Sequence, residues 1–172
     1  MDQSELHTTV TAEVPGKVFI SYASQDVTVA EKCCAALEAA SLPCWIAPRN
    51  VRAGESYAAA IVSAINSCKM LLLVLSKHAI ASGHVLREVE RASSKKRPVL
   101  SVRMDSCELP PELEYFVSAN HWLDATAGPL EQVLSALVES VRGGGAGPTP
   151  QATPPVSPRR GLSGWRLPAR RR

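Results

Sequence analysis

The sequence predicts an α/β fold, a parallel sheet covered by helices on both faces. Two patterns lead there. Short, wholly apolar runs recur, the purest being Met70-Leu71-Leu72-Leu73-Val74-Leu75, and such a run reads as a strand buried on both sides. Between the runs lie segments whose apolar residues recur at helical spacing. Strand and helix alternate throughout, the arrangement of a parallel sheet.

Each element has its own signal. Lys17-Val18-Phe19-Ile20-Ser21-Tyr22 is the first strand. Ala23-Ser24-Gln25-Asp26 turns the chain, with Ser24 suited to cap the next helix and Asp26 to its positive N-terminus. Val29, Cys33, Leu37 and Ala40 mark a helix over 26–40. Residues 42–46 make a second strand, with Pro43 tolerated at its start. Pro48 and Gly54 make 47–54 a loop. Tyr57, Ile61, Ala64, Ile65 and Cys68 mark a helix beginning near Glu55. The third strand, 69–75, ends in a serine-bearing loop that opens a helix over 83–95, closed by Lys95-Lys96-Arg97. Pro98 precedes a fourth strand, 99–102. Residues 105–118 read as irregular around Pro110-Pro111, with a short helical turn at 111–117. A fifth strand at 120–123 and an amphipathic helix at 129–141 complete the pattern. The right-handed crossover rule then leaves a flavodoxin-like, doubly wound, five-stranded parallel sheet.

Composition divides the chain into a flexible arm (1–15), a folded domain (16–142) and a tail (143–172) rich in Pro, Gly and Arg. Six of the 19 basic residues lie in the tail, which has no acid, leaving 13 against 16 acidic residues in the rest. The folded domain is therefore slightly acidic and carries no nucleic-acid signature. The tail lacks the apolar content to fold alone and reads as a disordered linker, or as a basic segment for acidic lipid or nucleic acid. A linker that runs to the last residue hints at a further module beyond it. Five cysteines without a C-x-x-C pair fall mostly on apolar faces, which suits a reducing compartment. The first residues lack a signal peptide's apolar core and no run approaches membrane-spanning length, so the expectation is a cytoplasmic protein with no membrane span.

Several chemistries lack their signatures. Neither G-x-G-x-x-G nor G-x-x-x-x-G-K-[ST] occurs, nor the G-x-S-x-G elbow of a serine hydrolase. His7, His78, His84 and His121 lack metal spacing with one another or with the cysteines, so no metal is expected. What remains is an acid at the corner where open α/β sheets bind ligands, after the third strand. On the helix at 83–95, Val85, Val89 and Ala92 form the apolar stripe, and Glu88 lies about 60° from its centre. Glu88 is thus either a partly desolvated working acid or the partner of His84 or Arg91, at i−4 and i+3.

Four stretches in register carry a family resemblance: Phe19-Ile20-Ser21-Tyr22; Trp45 to Gly54 with its Arg-x-x-x-Ala-Gly ending; Leu75-Ser76 followed by Ser82 and Glu88; and Phe116 with Trp122. Together they resemble the successive boxes of a TIR (Toll/interleukin receptor) domain over residues 16–141. The wording Cys-Trp-Ile-Ala-Pro-Arg and Ser-x-His-Val-x-x-Glu-Val is closer to bacterial members than to animal receptors.

The resemblance implies one of two activities. TIR enzymes cleave NAD+ with a glutamate on the helix after the third strand, where this chain has Glu88, giving nicotinamide and ADP-ribose or its cyclic isomers, often in bacterial antiviral defence or effector signalling. NAD+ is then substrate, and no cofactor is implied. Other members are non-catalytic adaptors that signal through TIR–TIR contacts of the loop here at 47–54. Positions lining the family's substrate site correspond to Tyr22, Ala23, Ser24, Trp45, Arg52, Ser76 and His84. Ala23-Ser24 stands where some enzymes carry Arg-Arg, Arg52 where some carry Glu, and His84 where some carry Trp. Alternatives stay open at several of them: Trp45 stacks on a base or fills the core, Ser76 and Ser82 touch substrate or cap helices, and Arg49 or Arg52 holds pyrophosphate or is simply exposed. Phe116 and Trp122 are assigned to packing. Activity is expected on assembly of copies through the 47–54 loop.

Overall fold

The computed structural model of the chain describes residues 16–117 and 122–144. Five strands, β1 (Val18–Ser21), β2 (Cys44–Trp45), β3 (Met70–Leu75), β4 (Val99–Arg103) and β5 (Trp122–Asp124), form one sheet in the order β2-β1-β3-β4-β5. Every neighbouring pair is parallel. From β1 the chain steps outward to β2, then returns across β1 to β3, so the order reverses there. The ends of β1 and β3 flank the resulting crevice. The doubly wound five-stranded sheet is as the alternation predicts.

Side chains alternate across the sheet and supply a separate core on each face. Val18, Ile20, Met70, Leu72, Val74, Leu100 and Val102 pack against α1 (Val27–Ala39) and α6 (Leu130–Arg142). Phe19, Leu71, Leu73, Leu75 and Val99 pack on the other face against α2 (Tyr57–Ser67), α4 (Gly83–Ser94) and α5 (Pro111–Val117). β3 is buried at all six positions, as expected of a central strand covered by both layers. In α4 the buried residues are Val85, Val89 and Ala92, the stripe read from the sequence.

The structure departs from the sequence reading in a few places. Ser24 does not cap α1; it opens a short 3₁₀ turn, Ser24–Asp26, and Asp26 occupies the cap position without a side-chain cap bond. The serine loop after β3 contains a further helical turn, α3 (Lys77–Ile80), because the Ser76 hydroxyl accepts from both His78 N and Ala79 N. Ser82 caps α4, its hydroxyl accepting from Val85 N at 3.4 Å. Trp122 is 43% exposed instead of packed: it sits on the edge strand, with the Arg103 guanidinium 5.5 Å from its ring centroid. Phe116 does pack, partly buried, against the second core. Tyr57 is likewise exposed, at 53%. The predicted arm (1–15) and nearly all of the basic tail lie outside the described residues. Among the described residues, no helix is long and apolar enough to cross a membrane.

Candidate active site

Ser21 is the last residue of β1, on the same side of the strand as Phe19, so it faces the layer of α2 and α4. There its hydroxyl, buried with the rest of the residue, donates to Glu88 Oε2 at 2.6 Å. Neither same-helix partner open to Glu88 is used. Among the described residues the ion pairs are Arg49–Glu38 and Arg142–Glu139, and neither His84 nor Arg91 reaches Glu88 as a salt bridge. Burial pushes the Glu88 carboxyl from its ordinary 4.5 up to about 7, and the Ser21 hydrogen bond acts in the opposite direction. Desolvation disfavours the charged form, and a neutral donor offsets only part of that cost.

Glu88 opens onto a groove of about 340 Å³ between α2 and α4. Tyr57, Ile61 and Ile65 form one wall; His84, Arg87 and Arg91 stand on the other. Among the described residues, Glu88 is the only acid lining it. The Arg91 Nε is buried and has no hydrogen-bond partner among the described residues. An apolar groove with one desolvated carboxylate, at a point where strand order reverses, has the ingredients of a small-molecule site.

The neighbouring corner is tied across the same reversal. Ser76, buried at the end of β3, donates its proton to Asp26 Oδ2 at 2.6 Å while accepting the two α3 amides. This locks the loop after β1 to the loop after β3. Tyr22, the residue after β1, donates its hydroxyl to the Ala47 carbonyl and so anchors the loop after β2. Burial is the chief cause of its raised pKa; Tyr57, Glu31 and Glu88 add to it.

The residues named from the resemblance are therefore dispersed. His84 lines the Glu88 groove, one turn before the acid on α4. Tyr22 lies within electrostatic reach of Glu88 but lines a different cleft, beside α1. Ala23 is buried in the second core, and Ser24 is exposed with its hydroxyl on Gln25. Trp45 is buried and stacked on Phe19, centroids 5.0 Å apart and planes 11° apart, which is a core position. Its rim and Arg52 line a separate groove of about 580 Å³ with Lys17, Asn50 and Glu55. The Ser76 hydroxyl is engaged within the fold, and the Arg49 guanidinium is held by Glu38 at 2.6 Å.

Sequence reasoning missed Ser21 and Tyr57 as residues of this site, and placed Arg91 beside Glu88 only as an ion-pair partner. A serine closing an otherwise apolar strand was the available signal for Ser21. Tyr57 fitted the apolar spacing of α2 and was read only as marking that helix.

Residues 18–138 match the sequence pattern of the TIR domain. No curated protein matches the chain significantly in sequence. Among solved structures, the chain is similar to the TIR domain of the Toll-related receptor TRR-2 from Hydra magnipapillata, with 20% identity, TM-score 0.61 and coverage of 74% of this chain and 96% of that one. It is equally similar to the TIR domains of the activated Roq1 resistosome that recognises the effector XopQ, at 15% identity, TM-score 0.61 and coverage of 73% and 99%. A metazoan TIR-STING receptor from C. gigas, in complex with 2′,3′-cGAMP, aligns at 22% identity and TM-score 0.55 over 72% of this chain and 39% of the receptor. At such identities the structural likeness concerns the fold. The sequence match covers most of the chain and agrees with that fold: the chain belongs to the TIR domain family.

Proposed function

We propose that this TIR domain cleaves the nicotinamide–ribose bond of NAD+, with Glu88 as the catalytic carboxylate. The observation that carries the reading is a single acid, half-buried at the sheet's reversal point, held by a neutral hydroxyl and, among the described residues, in no ion pair. In the cleavage, the glycosidic electron pair leaves with nicotinamide, which departs neutral and needs no proton. The ribose C1′ passes through an oxocarbenium-like state. An unpaired carboxylate in a poorly solvated groove stabilises that positive charge more strongly than it would in water. Water then bonds to C1′ and loses its proton to give ADP-ribose; attack by a hydroxyl or ring nitrogen of the same molecule gives a cyclic isomer.

The positive nicotinamide ring of bound NAD+ favours the ionised form of Glu88, offsetting the desolvation that holds its pKa near 7 in the free protein. His84, exposed one turn earlier on α4, lines the same groove, which supports a contact with the leaving ring. The groove, at about 340 Å³, is near the lower end of the roughly 300–1,000 Å³ range of ligand pockets. That volume has room for part of a dinucleotide. Arg52 and Trp45 face a separate groove, and this supports an active site completed by a second copy through the 47–54 loop. Arg52 to Ser56 of this region are exposed, and Gly54 takes a left-handed φ of 81° that favours glycine.

The test is nicotinamide release from NAD+ by concentrated protein beside Glu88→Gln, with the mass of the active species measured in parallel. Release confined to the parent protein supports the reading. Persistence in the variant overturns the role of Glu88. Absence of release from concentrated or crowded protein makes the non-catalytic adaptor, acting through TIR–TIR contacts, the better account.

A further inference from the structure

On the opposite face from Glu88, three metal-ligating side chains converge. Cys34 and Glu38 stand at i and i+4 on α1, on the same face one turn apart. Cys44 opens β2, the edge strand next to β1. The sulfurs of Cys34 and Cys44 and a carboxylate oxygen of Glu38 all lie within 4.8 Å of one another. Both thiols are free and buried, while the Glu38 carboxylate is exposed at the mouth. Cys34 and Glu38 also line a cleft of about 360 Å³, so the cluster is reached from solvent.

We infer that Cys34, Glu38 and Cys44 form a binding site for a thiophilic divalent cation, Zn2+ foremost. Two thiolates and a carboxylate are a donor set that zinc accepts, with the fourth position left to water. Bonds of about 2.0–2.3 Å place tetrahedral donors roughly 3.4–3.8 Å apart, so the three groups need only a small closure around the ion. On binding, each thiol transfers its proton to solvent and its sulfur lone pair to the metal, with no change of oxidation state. Two rigid elements carry the sulfurs, which limits the entropy lost on closure.

The site has a built-in competitor. Arg49, in the loop after β2, holds both oxygens of Glu38, at 2.6 and 3.1 Å. A cation that takes the carboxylate displaces the guanidinium and frees Arg49. The loop remains anchored by the Tyr22 hydroxyl on the Ala47 carbonyl and by the Asn50 side chain, whose Oδ1 accepts from Ile46 N. This site is independent of the NAD+ reading and stands or falls alone.

The experiment is titration of the reduced full-length protein with Co2+, read as thiolate-to-cobalt charge-transfer absorption, followed by displacement with Zn2+. A saturable band at one ion per chain that Zn2+ bleaches supports the site. The band should vanish in Cys34→Ser and in Cys44→Ser. Glu38→Gln should weaken binding by at least the roughly 10–100-fold that loss of an outer hydrogen-bond partner costs. Arg49→Ala should tighten it a few-fold by removing the competitor. Absence of the band overturns the inference, as does a band retained in both cysteine variants, which would assign it to other thiols. Glu38 and Arg49 are exposed, so their variants leave the core intact. Unchanged affinity in both of these also overturns the inference, whether or not the cysteine variants fold.

Discussion

Glu38 and Glu88 are both helical glutamates, and they have opposite lives. Glu38 lies in the last turn of α1 on one face of the sheet, open to solvent, with the Arg49 guanidinium across both its oxygens. The Arg49 hydrogen bonds are the chief reason its pKa is lowered. Glu88 lies in the middle of α4 on the other face, with a serine hydroxyl as its hydrogen-bond donor, and burial drives its pKa up. The first acid is charged and satisfied, as a surface ion pair is. The second is kept short of compensation, which costs stability and makes it available to a developing positive charge. The contrast separates a structural carboxylate from a reactive one by environment, since the side chains are identical.

The largest expected effect breaks the reactive side. Glu88→Gln should lower the rate of nicotinamide release by about 10²–10³-fold, the scale of losing one preorganised electrostatic group, measured by product formation under saturating NAD+. A rate within a fewfold of the parent would place the chemistry elsewhere.

The same substitution sharpens the comparison in stability. The folded-state pKa of Glu88 is raised, so the favourable contribution of its protonated form is full below about 4.5 and is lost as pH rises toward about 7. At about 1.4 kcal/mol per pH unit, that rise corresponds to a cost on the order of 3 kcal/mol at pH 8. Glu88→Gln should therefore unfold at higher denaturant than the parent at pH 8 and at nearly the same denaturant at pH 4. Equal midpoints at both values would mean that the carboxylate is not desolvated.

Ser76→Ala comes next. It removes the α3 cap and leaves the Asp26 carboxylate without its donor, a loss of about 1–3 kcal/mol in chemical denaturation. Ser21→Ala acts on the reactive acid alone. Its hydrogen bond lowers the Glu88 pKa, so its loss should move the acid limb of the kcat/KM profile above the parent's value near 7, by about one pH unit. An unmoved limb would separate the profile from Glu88. The smallest effect belongs to the paired acid. Arg49→Ala should cost less than about 1 kcal/mol, and that contribution disappears as pH falls through the lowered pKa of Glu38, because the pair is exposed and screened.

Much of this contrast was legible in the residues. The stripe of Val85, Val89 and Ala92 put Glu88 at the boundary of the buried face, and the reversal of strand order put that boundary at a crevice. The donor from β1 was not legible, since Ser21 and Glu88 are 67 positions apart and no local period links them. Arg52 and Trp45 illustrate the reverse. The family resemblance put them in one site with Glu88, yet they line another groove. Cys34 and Cys44 carried no metal spacing in the chain, because one belongs to a helix and the other to the neighbouring strand.

The sequence by itself determined the alternation of strands and helices, the two-sided burial of β3, the family, and which face of α4 is covered. These depend on periodicity and local preference, which act over a few residues. Only the tertiary structure decided which carboxylate was left uncompensated, which serine hydroxyls became caps, and which thiols met an acid. Those outcomes depend on contacts between distant segments, brought to hydrogen-bonding distance by the order of strands in the sheet. The energy of a buried charge is set by those contacts and not by its neighbours in the chain.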